Sequence, residues 1–316
     1  MSTMTEFWPP PKEGPVRDLV GYGRHAPRVR WPGGARVAVS LCLNYEEGSE
    51  RTHAAGDDAN ENSGESQRAF PSGVRNLAME SIFEYGSRAG VHRLLRMFDD
   101  YEVKCTSFAA AVALAVNPQV AEWLVDSGHE ICSHGWRWSE QWTMTREEER
   151  DRIAWAVELF KKVCGIAPEG WYSRYGPSIH TRELLVEAGF LYDSDAYNDD
   201  LPYFTRVKGN DHLVIPYSMT YNDGRYLSGQ FGGPDDFFSL TRRAFDYLWE
   251  EGETHPRMMS IGLHPRWIGQ AGRASALREF IEHAHKRGGV WFARRSDIAR
   301  WWREHHHSFS PEIAAP

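Results

Sequence analysis

The chain has 316 residues and a formal net charge of −8, with 41% hydrophobic and 25% charged residues. This is the balance of a globular protein that buries a core, and the lack of any Lys/Arg run argues against nucleic acid as a partner. No apolar run reaches the roughly 18 residues that span a membrane. The opening MSTMTEFWPPPKEG also lacks the basic start and apolar stretch of a signal peptide.

Cys42, Cys105, Cys132 and Cys164 show no CxxC spacing, and three of them sit in apolar stretches. They read as reduced thiols of a cytoplasmic protein. Aromatic residues reach 13%, with 13 Trp, a surplus suited to cleft walls or a subunit contact. Residues 1–30, rich in Pro, Gly and Arg, read as an extended arm. Residues 31–304 read as one catalytic domain and 305–316 as a tail. Arm and aromatics together lead us to expect a homo-oligomer, a dimer or tetramer.

In chain order, a first strand is expected at 37–44, followed by a polar loop over 48–73 that is long enough to be functional. A second strand falls at 103–108. Asn117-Pro118 then sets a cap before a first-turn proline, with Gly128 past the last turn. After a third strand at 130–133, Thr145-Arg-Glu-Glu148 is a capping box that opens a helix stopping at Gly165. Strands at 170–174, 191–193, 213–216, 258–264 and 290–293 alternate with helices at 181–189, 235–252, 274–287 and 296–304. Near-continuous apolar strands interleaved with helices argue for a parallel sheet covered on both faces, open or closed into a barrel. No GxGxxG or Walker pattern follows the first strand, so nothing supports nucleotide binding.

In such folds reactive residues gather at the C-terminal ends of strands. Here those ends carry Asn44-Tyr45-Glu46-Glu47-Gly48, Ser133-His134-Gly135-Trp136-Arg137-Trp138, Trp171-Tyr172-Ser173-Arg174, Asp193-Ser194-Asp195 and Gly262-Leu263-His264-Pro265. Taken singly, each has a structural reading. Glu46-Glu47 could be a solvated pair, His134 a backbone-bonded histidine, and Arg174 a buried bridge to Asp193 or Asp195. His305-His306-His307 reads as exposed surface after the last helix. Five polar strand ends in one chain are better explained by a site.

In this order the five segments resemble the polysaccharide deacetylases of carbohydrate esterase family four. The resemblance implies an α/β fold, a distorted (β/α)7 barrel. It places Glu46 at the catalytic base, Glu47 at a metal-binding aspartate and His134 at the first metal histidine. His264 falls at the late general acid, Arg174 at the arginine that orients the base, and Asp193 and Asp195 in a supporting segment. Where the family has its second metal histidine, this chain has Trp138. Glu47 and His134 alone are poor for a catalytic Zn²⁺, which takes three protein ligands and water.

The segments NYEEG, SHGWRW, YDSDAYNDDLPY and ARRSDIARWW look like the branch of that family that opens allantoin or related cyclic ureides and imides without a metal. That resemblance implies hydrolysis of a C–N bond in a small cyclic substrate, with no cofactor. Glu46, or Glu47 in its place, would take a proton from water, and His264 would protonate the leaving nitrogen. Arg174 or His134 would balance the oxyanion. Tyr45, Trp136, Trp138, Trp171 and Asp195 would contact the substrate, the tryptophans walling a flat ring. Neighbours on a strand point to opposite faces, so bringing both Glu46 and Glu47 inward would require a bulge. The alternatives are a Zn-dependent N-deacetylase of amino sugars or chito-oligosaccharides, and a catalytically silent binding protein.

Overall fold

A computed structural model describes residues 11–66, 68 and 70–309. Residues 1–10 of the expected arm and 310–316 of the expected tail lie outside the described residues. The strands and helices follow in the order β1 (Val37–Tyr45), α1 (Leu77–Tyr85), a single π turn (Gly86–Gly90), α2 (Val91–Asp100) and β2 (Cys105–Ala109). Next come α3 (Ala111–Val116), α4 (Pro118–Asp126), β3 (Glu130–Ser133), α5 (Arg146–Cys164), β4 (Gly170–Trp171), α6 (Thr181–Glu187) and β5 (Tyr192–Asp193). The chain continues with β6 (Tyr203–Val207), β7 (Asn210–Val214), α7 (Pro234–Glu251), β8 (Arg257–Leu263), α8 (Ala271–Arg287), β9 (Val290–Phe292) and α9 (Arg295–His305).

One sheet runs in the order β6-β7-β5-β4-β3-β2-β1-β8, with β9 beside the first half of β1. Every pairing is parallel except β6 with β7. The sheet curls into the (β/α)7 barrel type. Beyond β8 the remaining gap is bridged by irregular chain: Met258 N donates to Asp200 O (3.0 Å) and Gly262 N to Tyr221 O (3.0 Å).

The two faces of β1 show why the residues fall as they do. Val37, Val39, Leu41, Leu43 and Tyr45 pack outward into the cluster shared with the helices. Ala38 and Cys42 point inward with Phe108, Tyr172, Tyr192 and Tyr217. Deep in the barrel the fully buried Arg295 donates to Ser194 Oγ (2.8 Å), Ser260 Oγ (2.8 Å) and Pro216 O (2.8 Å), tying three separate segments together. The capping box of α5 is formed as the sequence indicates, with Thr145 N donating to Glu148 Oε2 (2.8 Å) and Glu148 N to Thr145 Oγ1 (3.2 Å).

Four elements, α1, α2, α3 and β6, have no counterpart among the expected ones. α1 and α2 form one bent rod, but two glycines in its π turn interrupt the helical pattern. β6 pairs with β7 through Lys208-Gly209, both at positive φ (46° and 84°). That geometry belongs to a two-residue hairpin turn usually spelled Asn-Gly, and Lys at its first position hides it.

At the site end of the barrel, the π turn lies directly against the loop after β8. A Cβ on Gly90 would come within 2.1 Å of Pro265 O, and Gly269 meets the same carbonyl from the other side. Backbone cannot yield as a flexible side chain can. Gly90→Ala should therefore cost about 1–3 kcal/mol, the usual range for overpacking, read as a lower urea midpoint with an unchanged m-value. An unaltered midpoint would show that this crossing has slack.

Candidate active site

Because side chains alternate along a strand, the end of β1 sends Asn44 and Glu46 into the barrel mouth and Tyr45 and Glu47 to the outer face. There is no bulge that turns both carboxylates inward. Glu46, His134, Trp138 and His264 all line one cavity of about 410 Å³, with Tyr172, Asn222, Arg225 and Trp267 also in its walls. The loop bearing His134 is pinned by backbone bonds: His134 N donates to Ala109 O (2.8 Å), Ala111 N donates to Gly135 O (2.9 Å), and Trp138 N donates to Ser49 O (3.3 Å).

The Glu46 carboxylate is held on both oxygens. Arg266 Nη2 donates to Oε2 at 2.6 Å. Oε1 lies 3.2 Å from His134 Nε2 and 3.7 Å from His264 Nε2. Burial alone would raise the Glu46 pKa, but Arg266 and then His264 outweigh it and hold this carboxyl well below the usual range. Glu47 sits on the far side of β1, packed against Gly86, with Arg266 Nη1 at 3.4 Å. Burial, reinforced by the Glu46 charge and only partly countered by Arg266, pushes the Glu47 carboxyl up to about 7.

His264 is oriented by Asp223. Its Nδ1 lies 2.6 Å from Asp223 Oδ1, and its backbone N donates to Oδ2 (2.7 Å), which also accepts from Ile268 N (3.2 Å). With Oδ2 taken by two backbone N–H groups, Oδ1 is left to accept from Nδ1–H, and Nε2 faces the cavity. His134 is fixed similarly: Nδ1 is 2.6 Å from Tyr172 O, and a carbonyl can only accept, so the proton is on Nδ1. The Nε2 lone pair then accepts from the indole N–H of Trp138 at 3.1 Å. The Tyr172 ring stacks on the imidazole, with centroids 5.0 Å apart and planes at 13°.

Several expected residues lie elsewhere. Arg174 does not reach Glu46. It is buried against Glu61 (2.7 Å), donates to Trp138 O (2.8 Å) and stacks over the Trp138 ring with its guanidinium carbon 3.7 Å from the centroid. Its pairing is with Glu61, not with Asp193 or Asp195. Asp193 instead takes Arg182 (2.7 Å) and His212 (2.8 Å). Asp195 accepts from Ser173 N and Oγ, both at 2.7 Å, outside the cavity walls, and burial with the nearby Asp193 charge pushes it up to about 7. Tyr45 points outward and bonds Ser87 Oγ (2.9 Å). Trp136 packs on Trp155 outside the barrel, and Trp171 lies in a separate cluster with Leu184, Leu185 and Phe190. Strand alternation carries Tyr45 and Trp171 to the helix side, whereas Trp136 lies in the loop beyond β3.

Sequence reasoning missed Arg266, Asp223 and Tyr172. The period of two on β4 could have named Tyr172 once Trp171 was placed outside. Arg266 stands two residues after His264, within the same strand-end segment. For Asp223, far from any strand end in sequence, there was no local signal.

A metal site tests poorly against these residues. Glu47, at the position of the family's metal aspartate, faces away with Arg266, and the Trp138 N–H covers the His134 lone pair that a cation would need. Among the described residues no group of three His, Cys, Asp or Glu is placed to hold a metal ion. The donor set present does not fit a catalytic zinc.

Comparison with known proteins places this geometry. The Polysaccharide deacetylase family model matches residues 77–191. A polysaccharide deacetylase-type protein of Schizosaccharomyces pombe is 36% identical, over 92% of this chain and 98% of its own length. A peptidoglycan deacetylase of Helicobacter pylori is 27% identical, over 68% of this chain and 84% of its own. Among solved structures, a probable polysaccharide deacetylase of Pseudomonas aeruginosa superposes with a TM-score of 0.88 at 47% identity, covering 92% of this chain and 98% of that one. The structure of PuuE allantoinase matches with the same TM-score and coverages at 46% identity. Fold, strand-end residues and relatives agree that the chain belongs to the polysaccharide deacetylase family and is a hydrolase of carbon–nitrogen bonds.

Proposed function

We propose that the protein hydrolyses a C–N bond in a small cyclic amide, a ureide such as allantoin, a hydantoin or a cyclic imide, and does so without a metal. One observation carries the reading. In the place of a second histidine ligand, Trp138 donates its N–H to His134 Nε2, while Glu46 stands between that histidine and His264 with Arg266 on its other oxygen. The likeness to PuuE allantoinase supports it. The cavity of about 410 Å³ falls within the range of small-molecule sites. No helix among the described residues is long and apolar enough to cross a membrane.

In this mechanism a water on Glu46 Oε1 attacks the ring carbonyl, and Glu46 accepts its proton. Glu46 passes that proton to His264 Nε2, the tetrahedral oxyanion collapses with cleavage of the C–N bond, and Nε2 gives the proton to the departing nitrogen. Asp223 holds the imidazole in the orientation that this transfer needs. Glu46 is a weak base because Arg266 stabilises its charge, yet it stays ionised, and its 3.7 Å separation from His264 lets it hand the proton on to the acid. Trp138 and Trp267 supply the flat walls.

Glu46→Gln should lower turnover by about 10²–10⁴-fold, the usual contribution of general acid–base catalysis, with an unchanged circular dichroism spectrum. Wild-type turnover would remove Glu46 from the mechanism.

Ring opening of allantoin, hydantoin or succinimide should survive treatment with a strong chelator. Activity lost on chelation and restored by Zn²⁺, or acetate released from chito-oligosaccharides, would favour a metal-dependent deacetylase; the Helicobacter relative is named a peptidoglycan deacetylase.

The carboxylate is the working form of Glu46, and Arg266 is the largest influence lowering its pKa. Arg266→Gln should thus raise that pKa and move the acid limb of the kcat/KM profile to higher pH, while Arg266→Lys restores part of the shift. An unmoved limb in a folded variant would detach Arg266 from the base.

A further inference from the structure

Between β7 and α7 a short 3-10 turn, Asp223–Tyr226, carries two different duties. Asp223 orients His264. Two residues on, Arg225 lines the cavity and is the one Arg or Lys among the described residues that do so. Its backbone is fixed from four directions: Arg225 N donates to Asn222 O, while Gln230 N, Phe231 N and Ser228 Oγ all donate to Arg225 O at 3.0–3.2 Å. The turn itself is capped by Asn222, whose Oδ1 accepts from Gly224 N at 2.7 Å.

The Arg225 side chain has no such support. Its Nε is buried without a hydrogen-bond partner, and its guanidinium makes no ion pair among the described residues. The one side-chain contact recorded for it is with the Phe231 ring, 5.4 Å from guanidinium carbon to centroid. The contrast with the other arginines at this end of the barrel is sharp. Arg266 is paired with Glu46 and Glu47, Arg174 with Glu61, and Arg137 with Asp57. The carboxylates nearby are likewise committed: Glu46 in the cavity wall to Arg266, and Asp223 behind His264 to that imidazole and two backbone N–H groups. A cation partly withdrawn from water and left unpaired is costly unless a ligand completes it. The forked guanidinium suits a carboxylate best, since it can meet both oxygens at once.

We propose that Arg225 is the specificity-determining residue of this site and selects a cyclic amide that bears a carboxylate. The guanidinium takes the substituent while the scissile bond of the ring lies over Glu46 and His264. This rests on the ring-opening reading above and adds to it a preference for substrates that carry a carboxylate. The rigid turn sets the distance between the carboxylate and the scissile bond, because one segment holds both Arg225 and the residue that orients His264.

The test compares hydantoin-5-acetate with unsubstituted hydantoin as substrates for the wild type, Arg225→Met and Arg225→Lys. In the wild type kcat/KM should favour hydantoin-5-acetate. Arg225→Met should lower kcat/KM on the acid about 100-fold more than on hydantoin, chiefly through KM, and Arg225→Lys should recover part of the difference. Equal losses on both compounds, or a wild type that favours neither, would overturn the assignment. Calorimetric binding of hydantoin-5-acetate to each protein separates this proposal from the reaction class. If no ring opening occurs, binding to the wild type that is lost in Arg225→Met and partly regained in Arg225→Lys still upholds the carboxylate site, and binding that is indifferent to Arg225 refutes it.

Discussion

One buried guanidinium organises this site. Arg266 is fully buried and reaches Glu46 with one terminal nitrogen and Glu47 with the other, two carboxylates that alternation has thrown to opposite faces of β1. Three ionisable groups taken out of water at a strand end are expensive unless each is met, and removing one partner from such a set typically costs 3–5 kcal/mol. The set is met here partly by charge and partly by protonation. Arg266 keeps Glu46 ionised, while burial, reinforced by the Glu46 charge, pushes Glu47 toward its neutral form. The aromatic rings of Phe83 and Trp267 on either side of the guanidinium, with carbon-to-centroid distances of 4.4 and 4.2 Å, complete its enclosure. Since Arg266 follows His264 by two residues, the same contact that fixes the base also fixes the segment bearing the acid.

Below this layer the barrel solves a different problem. Its interior holds Glu130, which accepts from Thr106 Oγ1 (2.8 Å), Tyr192 OH (2.7 Å) and Ser296 N (2.8 Å), and Arg295, whose donors reach Ser194, Ser260 and Pro216. A polar core of this kind is stable only when fully bonded. The bond from Tyr192 to Glu130 joins β5 to β3, and Arg295 joins the ends of β5 and β7 to β8, strands that the open sheet order does not pair directly. The three cysteines of the interior strands, Cys42, Cys105 and Cys132, are buried, and burial raises their thiol pKa values, which fits inert packing.

The order of strands and helices was legible because apolar runs and caps are local signals. Asn117-Pro118, Thr145 with Glu148, and Gly165 each mark an end that the fold respects. Glu46, His134 and His264 were legible because strand ends in a parallel barrel converge. What could not be read was which partner each buried charge would choose. Arg174 and Arg266 look equally suited to a carboxylate in sequence; the choice depends on the loop that brings Glu61 to Arg174, a contact spanning 113 positions. Tyr45, Trp136 and Trp171 were placed in the cavity by residue type, although the two-residue period places Tyr45 and Trp171 outside. Asp223 depends on a turn that only the assembled β8 edge holds in place.

Trp138 shows how one exchange recruits its surroundings. An imidazole at this position would offer a lone pair beside His134; the indole offers an N–H instead, and so turns a neighbour into a hydrogen-bond acceptor. The larger ring must also be held. Arg174 does this from the far side, with its guanidinium over the ring and one hydrogen bond to the Trp138 carbonyl, while Glu61 and Glu140 balance its charge. Glu61 comes from the long polar loop after β1, where Arg137 further ties Asp57 and the Glu50 carbonyl. The loop thus enters the architecture of the site through charge pairing behind the tryptophan, and the arginine expected to orient the base has become the support for the residue that stands in place of a ligand. With Arg174 committed there, the role of orienting Glu46 falls to Arg266, the remaining guanidinium within reach of its carboxylate.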